Sequence, residues 1–593
     1  MKKCIISFTL FSIFAISLTG QKGEVRINFR YDQNYGFSYD EAIDAYKQLA
    51  ANYNITRLIE MGPTDIGKPL HLFIISKDKD FDPVSLRKKG KSIILINNGI
   101  HPGEPEGIDA SVQLAWDILK NKDGIQKYLE NTVIAIIPVY NIDGALNRSQ
   151  YYRLNQNGPE FKGSRRNAKN LDLNRDFSKQ DSKNARTFAK IYQYLNPDVF
   201  LDTHTTDGSD HQYVLTLIPT QFQRMQPGMS EFFKEKMIPG LYEKMKQHSK
   251  YGMIPYVQSA GRGGIKSGIT GFEDHPYYST GYAALFNCFA FMTENLVYAA
   301  FPDRVRSVYD FMVQLLAFTS ENEKEIRELK IKAENEVKIQ KEFVLDWSLD
   351  MSRSEKLLFK GYEYEQTTTP ISKRTTGFYN HNKPWADTIP YYDYFNPSLT
   401  AKAPFAYVIP QAWEDVISRM KINDVEMSRF ARDTTIDVES YYIDKNEPSQ
   451  RATQGHFMNT KTEIRPVVQK MHYFAGDYVV FVNQKSNKYI VSMLEPNAPS
   501  SFFTWNFFDP ILEGGEFFSI WGFESHAKEM LDKDPTLLAE FDKKLASDAD
   551  FAKDPVAQLQ YIYQKAPQSE VDKANNLYPV GRIIKATKLD LVK

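Results

Sequence analysis

The chain has 593 residues, 42% of them hydrophobic, so it is long enough to bury a large core and to form two or more domains. Its formal net charge of -1 excludes a global electrostatic attraction to nucleic acid or to an anionic membrane. Any partner must therefore be recognised by a local site.

Residues 1–20 have the layout of a secretory signal peptide. Lys2 and Lys3 precede an apolar run at residues 4–18, and small residues follow it. The run is too short for a typical membrane span, and polar residues come next, so a retained anchor is the less favoured alternative. We therefore expect an exported protein, periplasmic or secreted, that leaves the membrane after removal of the signal. Cys288 is then the one cysteine left, which predicts a fold without disulfides.

The first predicted elements alternate between helix and strand. A helix is expected at residues 39–52, and strands are expected at residues 70–76 and 131–139. Residues 92–97 form a β-branched run without polar interruption, which is typical of a strand buried on both faces. This alternation predicts an α/β layer fold.

The turn after residues 92–97 carries His101 and Glu104. A helix is predicted to follow, because apolar residues recur at helical spacing and Pro105 suits a helix's first turn. Ligands of α/β sheets bind at such strand ends. An imidazole and a carboxylate three positions apart can contact one cation, and they supply two of the three protein ligands of an open zinc site. The same pair is common in surface loops, so a third ligand is needed.

A second polar segment covers residues 153–176. It contains two adjacent arginines and the run Asp172-Leu173-Asn174-Arg175. Taken alone, an arginine-rich segment of this kind indicates a solvated loop.

His204 is the candidate for the third ligand. It lies at the end of a short apolar run, residues 198–205, in the same context as His101. A lone histidine after a strand is more often hydrogen-bonded than metal-bound, but the earlier His101–Glu104 pair favours a metal. Ligands from two strand ends can close one tetrahedral site and leave a position for water.

Glu294 follows another apolar run, at residues 285–293, which predicts a buried strand. A carboxylate in this position is costly unless it is paired, exposed or close to a metal. A helix cap or a salt bridge is the structural alternative.

A domain boundary is predicted near residue 330. Residues 299–318 predict a helix that closes the first domain, and Ser320 with Glu323 predicts a capping box for a charged helix that follows. We therefore place the first domain at residues 21–330 and a second domain at residues 331–593.

The second domain is predicted to be strand-rich up to about residue 496 and helical after it. Residues 485–487 predict a hairpin turn, and residues 488–494 a strand. The aromatic cluster at residues 500–509 favours core packing over a binding surface.

The ordered set His101-x-x-Glu104, Asp172-Leu173-Asn174-Arg175, His204 and Glu294 resembles a known family, the zinc-dependent metallocarboxypeptidases, whose best-known members are the pancreatic carboxypeptidases A and B. The resemblance covers residues 39–318 and describes an exported, bacterial-type member with an additional carboxyl-terminal domain. It implies a mixed central sheet flanked by helices. In the family the two histidines and the glutamate hold zinc, which suggests one zinc ion per chain, bound by His101, Glu104 and His204.

The resemblance also implies roles for other residues near the metal. Asp172 would hold a zinc-binding histidine through a hydrogen bond. Glu294 would act as general base and then as general acid. Arg165 would polarise the scissile carbonyl, with Arg166 as its rival for that role.

The substrate contacts are implied in the same way. Asn174 and Arg175 would bind the terminal carboxylate of a peptide, which a guanidinium can take through two parallel hydrogen bonds. The family usually carries a tyrosine ahead of the base, and Tyr278 or Tyr282 is preferred here over Tyr277. In the pancreatic enzymes, the residue fifteen positions before the base helps to select the side chain of the substrate. Here that residue is Ser279, which indicates a preference for neither basic nor aromatic substrate side chains.

Three functional hypotheses follow. The first is an exported zinc carboxypeptidase acting on peptides with a free carboxyl terminus, without nucleic-acid partners. The second is a zinc-dependent amidase or deacylase on the same fold, acting on cell-wall peptides or N-acyl amino acids. The third is a binding protein without turnover. Asn174 and Arg175 favour the first over the second, and the complete set of ligands and base argues against the third.

Overall fold

The structure is a computed structural model that describes residues 24–206, 208–261, 264–513, 519–565 and 576–592. The predicted signal peptide at residues 1–20 lies outside the described residues. Within the described ranges, no helix combines the length and the apolar composition that crossing a bilayer requires.

An eight-stranded mixed sheet organises the first part of the described chain. Its strands are β1 (Thr56–Pro63), β2 (Pro69–Ile75), β3 (Ser92–Asn97), β4 (Thr132–Ile137), β5 (Val199–Thr206), β6 (Leu215–Pro219), β7 (Met253–Pro255) and β8 (Phe289–Leu296). Their spatial order is β1-β2-β4-β3-β5-β8-β6-β7. The four central strands β4, β3, β5 and β8 run parallel, so their carboxyl ends meet at one edge.

Helices cover this sheet. They are α1 (Tyr39–Asn52), α2 (Pro83–Lys88), α3 (Glu106–Leu119), α4 (Ile142–Leu146), α5 (Lys183–Leu195), α6 (Pro227–Phe232), α7 (Ile238–His248), α8 (Ser279–Leu285), α9 (Phe301–Glu321) and α10 (Glu323–Ile339). Strands β3 and β4 are buried at every position, which explains their continuous apolar sequences. Helix α1 begins at a capping box formed by Ser38 and Glu41.

The rest of the chain is strand-rich. Its strands are β9 (Glu342–Leu349), β10 (Glu355–Thr368), β11 (Thr375–Tyr392), β12 (Phe395–Lys402), β13 (Ala406–Ile409), β14 (Ser428–Phe430), β15 (Thr434–Pro448), β16 (Asn459–Tyr473), β17 (Tyr478–Phe481), β18 (Gly581–Ile583) and β19 (Leu591–Val592). The largest sheet here has the order β16-β15-β18-β13-β17-β14-β19. Its helices are α11 (Glu414–Ile422), α12 (Asn487–Leu494), α13 (Ile520–Lys533), α14 (Pro535–Ser547) and α15 (Pro555–Gln564).

The predicted α/β fold with a mixed central sheet and a strand-rich second part is confirmed. The division at residue 330 stays a prediction. One continuous apolar core contains residues from both sides of that position, and the short strand Ile269–Thr270 pairs with β11. The two parts are therefore packed closely together.

Three local predictions are wrong. The predicted hairpin does not form, because residues 485–487 lead into helix α12 and residues 488–494 belong to that helix rather than to a strand. A short buried apolar run fits either structure, and tertiary contacts decide. Ser320 lies inside α9, and Glu323 pairs with Arg327, so the capping box does not form. Strand β8 begins only at Phe289, because Leu285 ends α8.

Candidate metal centre

Two neighbouring parallel strands bring the candidate metal ligands together. Strands β3 and β5 pair in register at Asn97 and Asp202, so the turn after β3 lies beside the end of β5. His101 and Glu104 lie in that turn, His204 lies on β5, and all three side chains are buried. Residues distant in sequence therefore share one edge of the sheet, where ligands of α/β folds bind.

The three side chains converge on one point. Glu104 Oε2 lies 3.2 Å from His101 Nδ1 and 3.3 Å from His204 Nδ1. One potential ligand atom from each residue lies within 4.8 Å of the other two. A tetrahedral zinc ion with bonds of about 2.0–2.1 Å separates its ligand atoms by about 3.3 Å. The donor set of two imidazoles and one carboxylate, and these separations, fit zinc.

Each imidazole is oriented by a carboxylate on its other nitrogen. His101 Nε2 lies 2.9 Å from Asp172 Oδ1, and His204 Nε2 lies 2.9 Å from Asp202 Oδ2. A carboxylate that accepts from Nε2 leaves the lone pair of Nδ1 available to a metal. Asp202 in turn accepts from Asn97 Nδ2 at 3.0 Å. These contacts fix the side of each ring that faces Glu104.

The carboxylates of this network are held in their charged form. Burial alone would raise the pKa of Glu104, but the charges of His101 and Arg153 and several hydrogen bonds hold it well below its usual value. Burial opposes the charged form of Asp172 in the same way, and the charges of His101 and Arg165 outweigh it and lower its pKa. Both groups are therefore carboxylates at neutral pH.

Glu294 lies directly across from His204 on the neighbouring strand β8. Burial and the Glu104 charge raise the pKa of Glu294 to about 7, whereas the charges of His204 and His101 lower it. A divalent cation bound by the nearby ligands would stabilise the carboxylate and lower this pKa. A group of this kind can accept a proton near neutral pH.

A cavity of about 310 Å³ opens at this edge of the sheet. Its lining combines the three candidate ligands and Glu294 with polar and apolar side chains from several segments. The other lining residues are Arg165, Asn174, Arg175, Thr205, Thr206, Ile218, Tyr256, Phe272, Tyr278 and Met292. Nearly all of the predicted site residues therefore face one space.

Asn174 and Arg175 line the cavity, and few other protein groups contact their polar side-chain atoms. The Arg175 guanidinium stacks on the Tyr278 ring at 4.5 Å and donates from Nη1 to the Asn174 carbonyl at 2.8 Å, and it makes no ion pair with the described residues. Asn174 Nδ2 lies 3.9 Å from the sulfur of Met292, a weak contact, and Asn174 Oδ1 has no hydrogen-bond partner in the described part of the chain. Both side chains can accept a ligand.

Arg165 lies beside the candidate ligands. Its Nη1 lies 3.2 Å from His101 Nδ1 and 3.4 Å from Glu104 Oε1, while its Nε donates to Asp172 Oδ2 at 3.0 Å. Its rival Arg166 is exposed and donates to Gln454 instead. The geometry therefore favours Arg165 over Arg166 as the arginine beside the candidate metal ligands.

Two other candidates lie away from the cavity. Tyr282 is fully buried, and its hydroxyl donates to Asn423 Oδ1 at 2.6 Å, so it does not line the cavity as the predicted substrate contact would. Ser279 is buried at the start of α8. Helix α8 turns both side chains into the core, because all of its residues are buried.

Arg153 is a site residue that sequence reasoning missed. Its Nη1 donates to Glu104 Oε1 at 2.8 Å, and its Nη2 donates to the Thr205 carbonyl at 3.0 Å. The absence of a side chain at Gly103 makes this possible, since a Cβ there would lie 2.8 Å from Arg153 Cδ. Arg153 has no motif partner at a characteristic spacing, so only the fold places it at the metal centre.

Comparisons with known proteins show which family this chain resembles. Residues 43–215 match the model of the zinc carboxypeptidase family. Carboxypeptidase 2 of Trichophyton rubrum is 21% identical over 488 residues, which cover 79% of this chain and 84% of the relative. Carboxypeptidase 2 of Trichophyton tonsurans is 21% identical over 430 residues, 69% of this chain and 72% of the relative. The predicted resemblance to the zinc carboxypeptidase family is confirmed.

Among solved structures, the similarity covers about half of this chain. A putative carboxypeptidase A from Shewanella denitrificans is 18% identical and covers 49% of this chain and 70% of its own, with a TM-score of 0.36. A metallo-carboxypeptidase from Burkholderia cenocepacia is 16% identical and covers 48% of this chain and 70% of its own, with a TM-score of 0.37.

Replacing Arg153 with methionine removes a buried counter-charge from Glu104. We expect Arg153→Met to destabilise the metal-free protein by about 1–3 kcal/mol, since Arg165 and the histidines still face that carboxylate. With zinc added the loss should shrink, because a cation replaces the missing charge. Urea unfolding with and without zinc measures both values. Arg26→Met, at an exposed ion pair with Glu24, is the control. An equal loss in both states would contradict the role of Arg153 as partner of a metal ligand.

Proposed function

We propose that this chain, which carries a zinc carboxypeptidase domain, is a zinc-dependent metallocarboxypeptidase that hydrolyses peptide bonds at the carboxyl-terminal end of peptides. The observation that carries the proposal is the convergence of His101, Glu104 and His204 in one cavity with Glu294 and Arg175. That cavity combines a candidate metal site, a candidate base and a guanidinium that has no ion pair among the described residues.

His101, Glu104 and His204 would hold one zinc ion per chain. Three protein ligands leave a coordination position open, and zinc in such a site lowers the pKa of a bound water toward neutrality. Glu294 supports the proposal because it faces the same space, and a cation held by the neighbouring ligands would keep it as the carboxylate that a base must be. It would accept the proton of the attacking water and then deliver it to the leaving amine.

The substrate's terminal carboxylate would bind to Arg175, with Asn174 beside it. Arg175 offers parallel N–H donors, and its stacking on Tyr278 holds the guanidinium plane in place. This binding would place the last peptide bond next to the metal ligands and Glu294, and it would exclude internal bonds of long peptides. Cleavage from the carboxyl end follows from that arrangement.

Arg165 would stabilise the negative charge that develops on the scissile carbonyl oxygen. Its guanidinium is already fixed by Asp172 Oδ2 and points Nη1 at the candidate ligands. A preorganised donor of this kind is worth more in a partly dehydrated cavity than in water. Asp172 therefore positions both His101 and Arg165.

The proposal includes export and a peptide partner. Export rests on the composition of residues 1–20, which have a basic start and an apolar run. The substrate is a peptide with a free carboxyl terminus, and the near-zero net charge offers no general attraction to nucleic acid.

The side chain of the terminal residue would enter an apolar space. Met292 lies two positions before Glu294 on β8 and thus on the same face, and it pairs directly with Ile218 on β6. Tyr256 and Phe272 pack edge-to-face beside them, with ring centroids 6.2 Å apart. This part of the lining carries no charged side chain among the described residues. Aromatic and large aliphatic terminal residues fit it best.

Glu294→Gln tests the base. We expect it to lower kcat about 10²–10⁴-fold and to leave the zinc content unchanged, because glutamine fills the same volume but cannot accept the proton. Peptide hydrolysis and metal analysis of the purified protein measure the two quantities. Glu231→Gln, at an exposed glutamate, is the control. Wild-type protein that binds no zinc, or a mutant that keeps its rate, would contradict the proposal.

The role of Arg175 is tested separately with peptides whose carboxyl terminus is amidated. Equal cleavage of amidated and free peptides would contradict the proposal that Arg175 binds the terminal carboxylate.

A panel of peptides that differ only in the last residue tests the side-chain preference. Burial of a large apolar side chain contributes about 1.5–3 kcal/mol, so kcat/KM for terminal phenylalanine or leucine should exceed that for lysine or aspartate by about tenfold or more. Ile218→Asp should shift the preference toward lysine and arginine, and Ile218→Val should preserve it. A wild-type preference for charged terminal residues would refute the apolar pocket.

A further inference from the structure

One loop of the second half of the chain lies against the catalytic motif. It consists of residues 449–458, which join strands β15 and β16, and we call it the hairpin tip. A pair of backbone hydrogen bonds between Thr453 and His456 closes it. Gln454 lies between them with a φ of 54°, a left-handed conformation that aims its side chain at the first half of the chain.

Gln454 contacts the residue that orients a metal ligand. Its Oε1 accepts the backbone N–H of Asp172 at 2.7 Å and a hydrogen bond from Arg166 Nη1 at 3.3 Å. The carboxylate of the same Asp172 holds His101 Nε2. The hairpin tip is therefore two hydrogen-bonded contacts away from the metal site.

His456 reaches the other end of the same segment. Its Nε2 lies 2.8 Å from Asp181 Oδ2. Lys179, which is fully buried, bridges Asp181 and Asp176 with contacts of 2.6 and 2.8 Å. Asp176 directly follows Arg175, the candidate carboxylate-binding residue. The ion pairs thus connect His456 to the turn that carries Arg175.

An aromatic contact supports the same connection. Trp505 is buried and packs edge-to-face against His456 and Tyr277, with ring centroids 5.6 and 5.9 Å away. Tyr277 lies against Tyr278, which stacks on Arg175. A polar path and an aromatic path, which share His456, therefore join the second half of the chain to the substrate side of the cavity.

We propose that the hairpin tip clamps both ends of residues 172–181, with Gln454 as a positioning residue for the metal site and His456 as a positioning residue for the carboxylate site. This inference rests on the proposed function. The second half of the chain would then contribute to catalysis by fixing the positions of site residues that belong to the first half.

Gln454→Met removes the acceptor and keeps a side chain of similar length. Loss of a hydrogen bond that helps to orient a metal ligand typically lowers metal affinity about 10–100-fold. We therefore expect zinc to bind about tenfold more weakly. Competition with a chromophoric chelator measures this without any assay of activity. Gln454→Glu keeps an acceptor and should retain near wild-type affinity. Gln450→Met makes the same change at an exposed position of the hairpin tip and should have no effect.

His456→Phe removes the contact to Asp181 and keeps a ring against Trp505. Arg175 then loses one constraint, so KM for peptides with a free carboxylate should rise about threefold or more. The values of kcat and of the zinc dissociation constant should stay unchanged. His472→Phe, at an exposed histidine of β16 in the same hairpin, is the control.

The outcomes separate this inference from the proposed function. If the wild-type protein binds zinc and cleaves peptides, but Gln454→Met and His456→Phe match their controls, the clamp is refuted and the enzyme assignment stands. If the wild-type protein neither binds zinc nor cleaves peptides, the proposed function itself fails. A fall in thermal stability without any change in zinc affinity or KM would also refute the clamp, since it would show a structural role alone.

Discussion

The site depends on the convergence of one carboxylate oxygen with two imidazole nitrogens. Glu104 Oε2 lies 3.2 and 3.3 Å from the Nδ1 atoms of His101 and His204, and an aspartate holds the Nε2 atom of each ring. These buried groups are stabilised by hydrogen bonds and ion pairs, and together they offer one cation a preformed set of ligand atoms. The parallel pairing of β3 with β5 and of β5 with β8 sets this geometry, because it aligns the strand ends that carry the ligands and Glu294.

The candidate metal ligands could be identified from sequence because each follows a local signal. A continuous apolar run identifies a buried strand, and a polar residue just after it must lie at the sheet edge, as His101 and Glu104 do. Asp202 could also have been predicted as a partner of His204, since it lies two positions earlier on the same face of the strand. The order of these motifs along the chain indicated the resemblance to the zinc carboxypeptidase family.

Other features could not be predicted because they depend on packing between distant segments. Arg153 reaches Glu104 only because Gly103 leaves room for it. Tyr282 and Tyr278 look equivalent in sequence, but α8 buries the first and leaves the second at the cavity. Residues 488–494 form a helix although their composition suits a strand, since burial removes the amphipathic pattern that distinguishes the two structures.

The most direct test of the metal centre is an anomalous difference map from crystals of the zinc-loaded protein, collected on both sides of the zinc absorption edge. We expect one peak per chain, bonded to Nδ1 of His101, to Nδ1 of His204 and to the Glu104 carboxylate at about 2.0–2.2 Å. A map without a peak at these atoms, or with zinc bonded to the Nε2 atoms that Asp172 and Asp202 hold, would contradict the proposed metal centre.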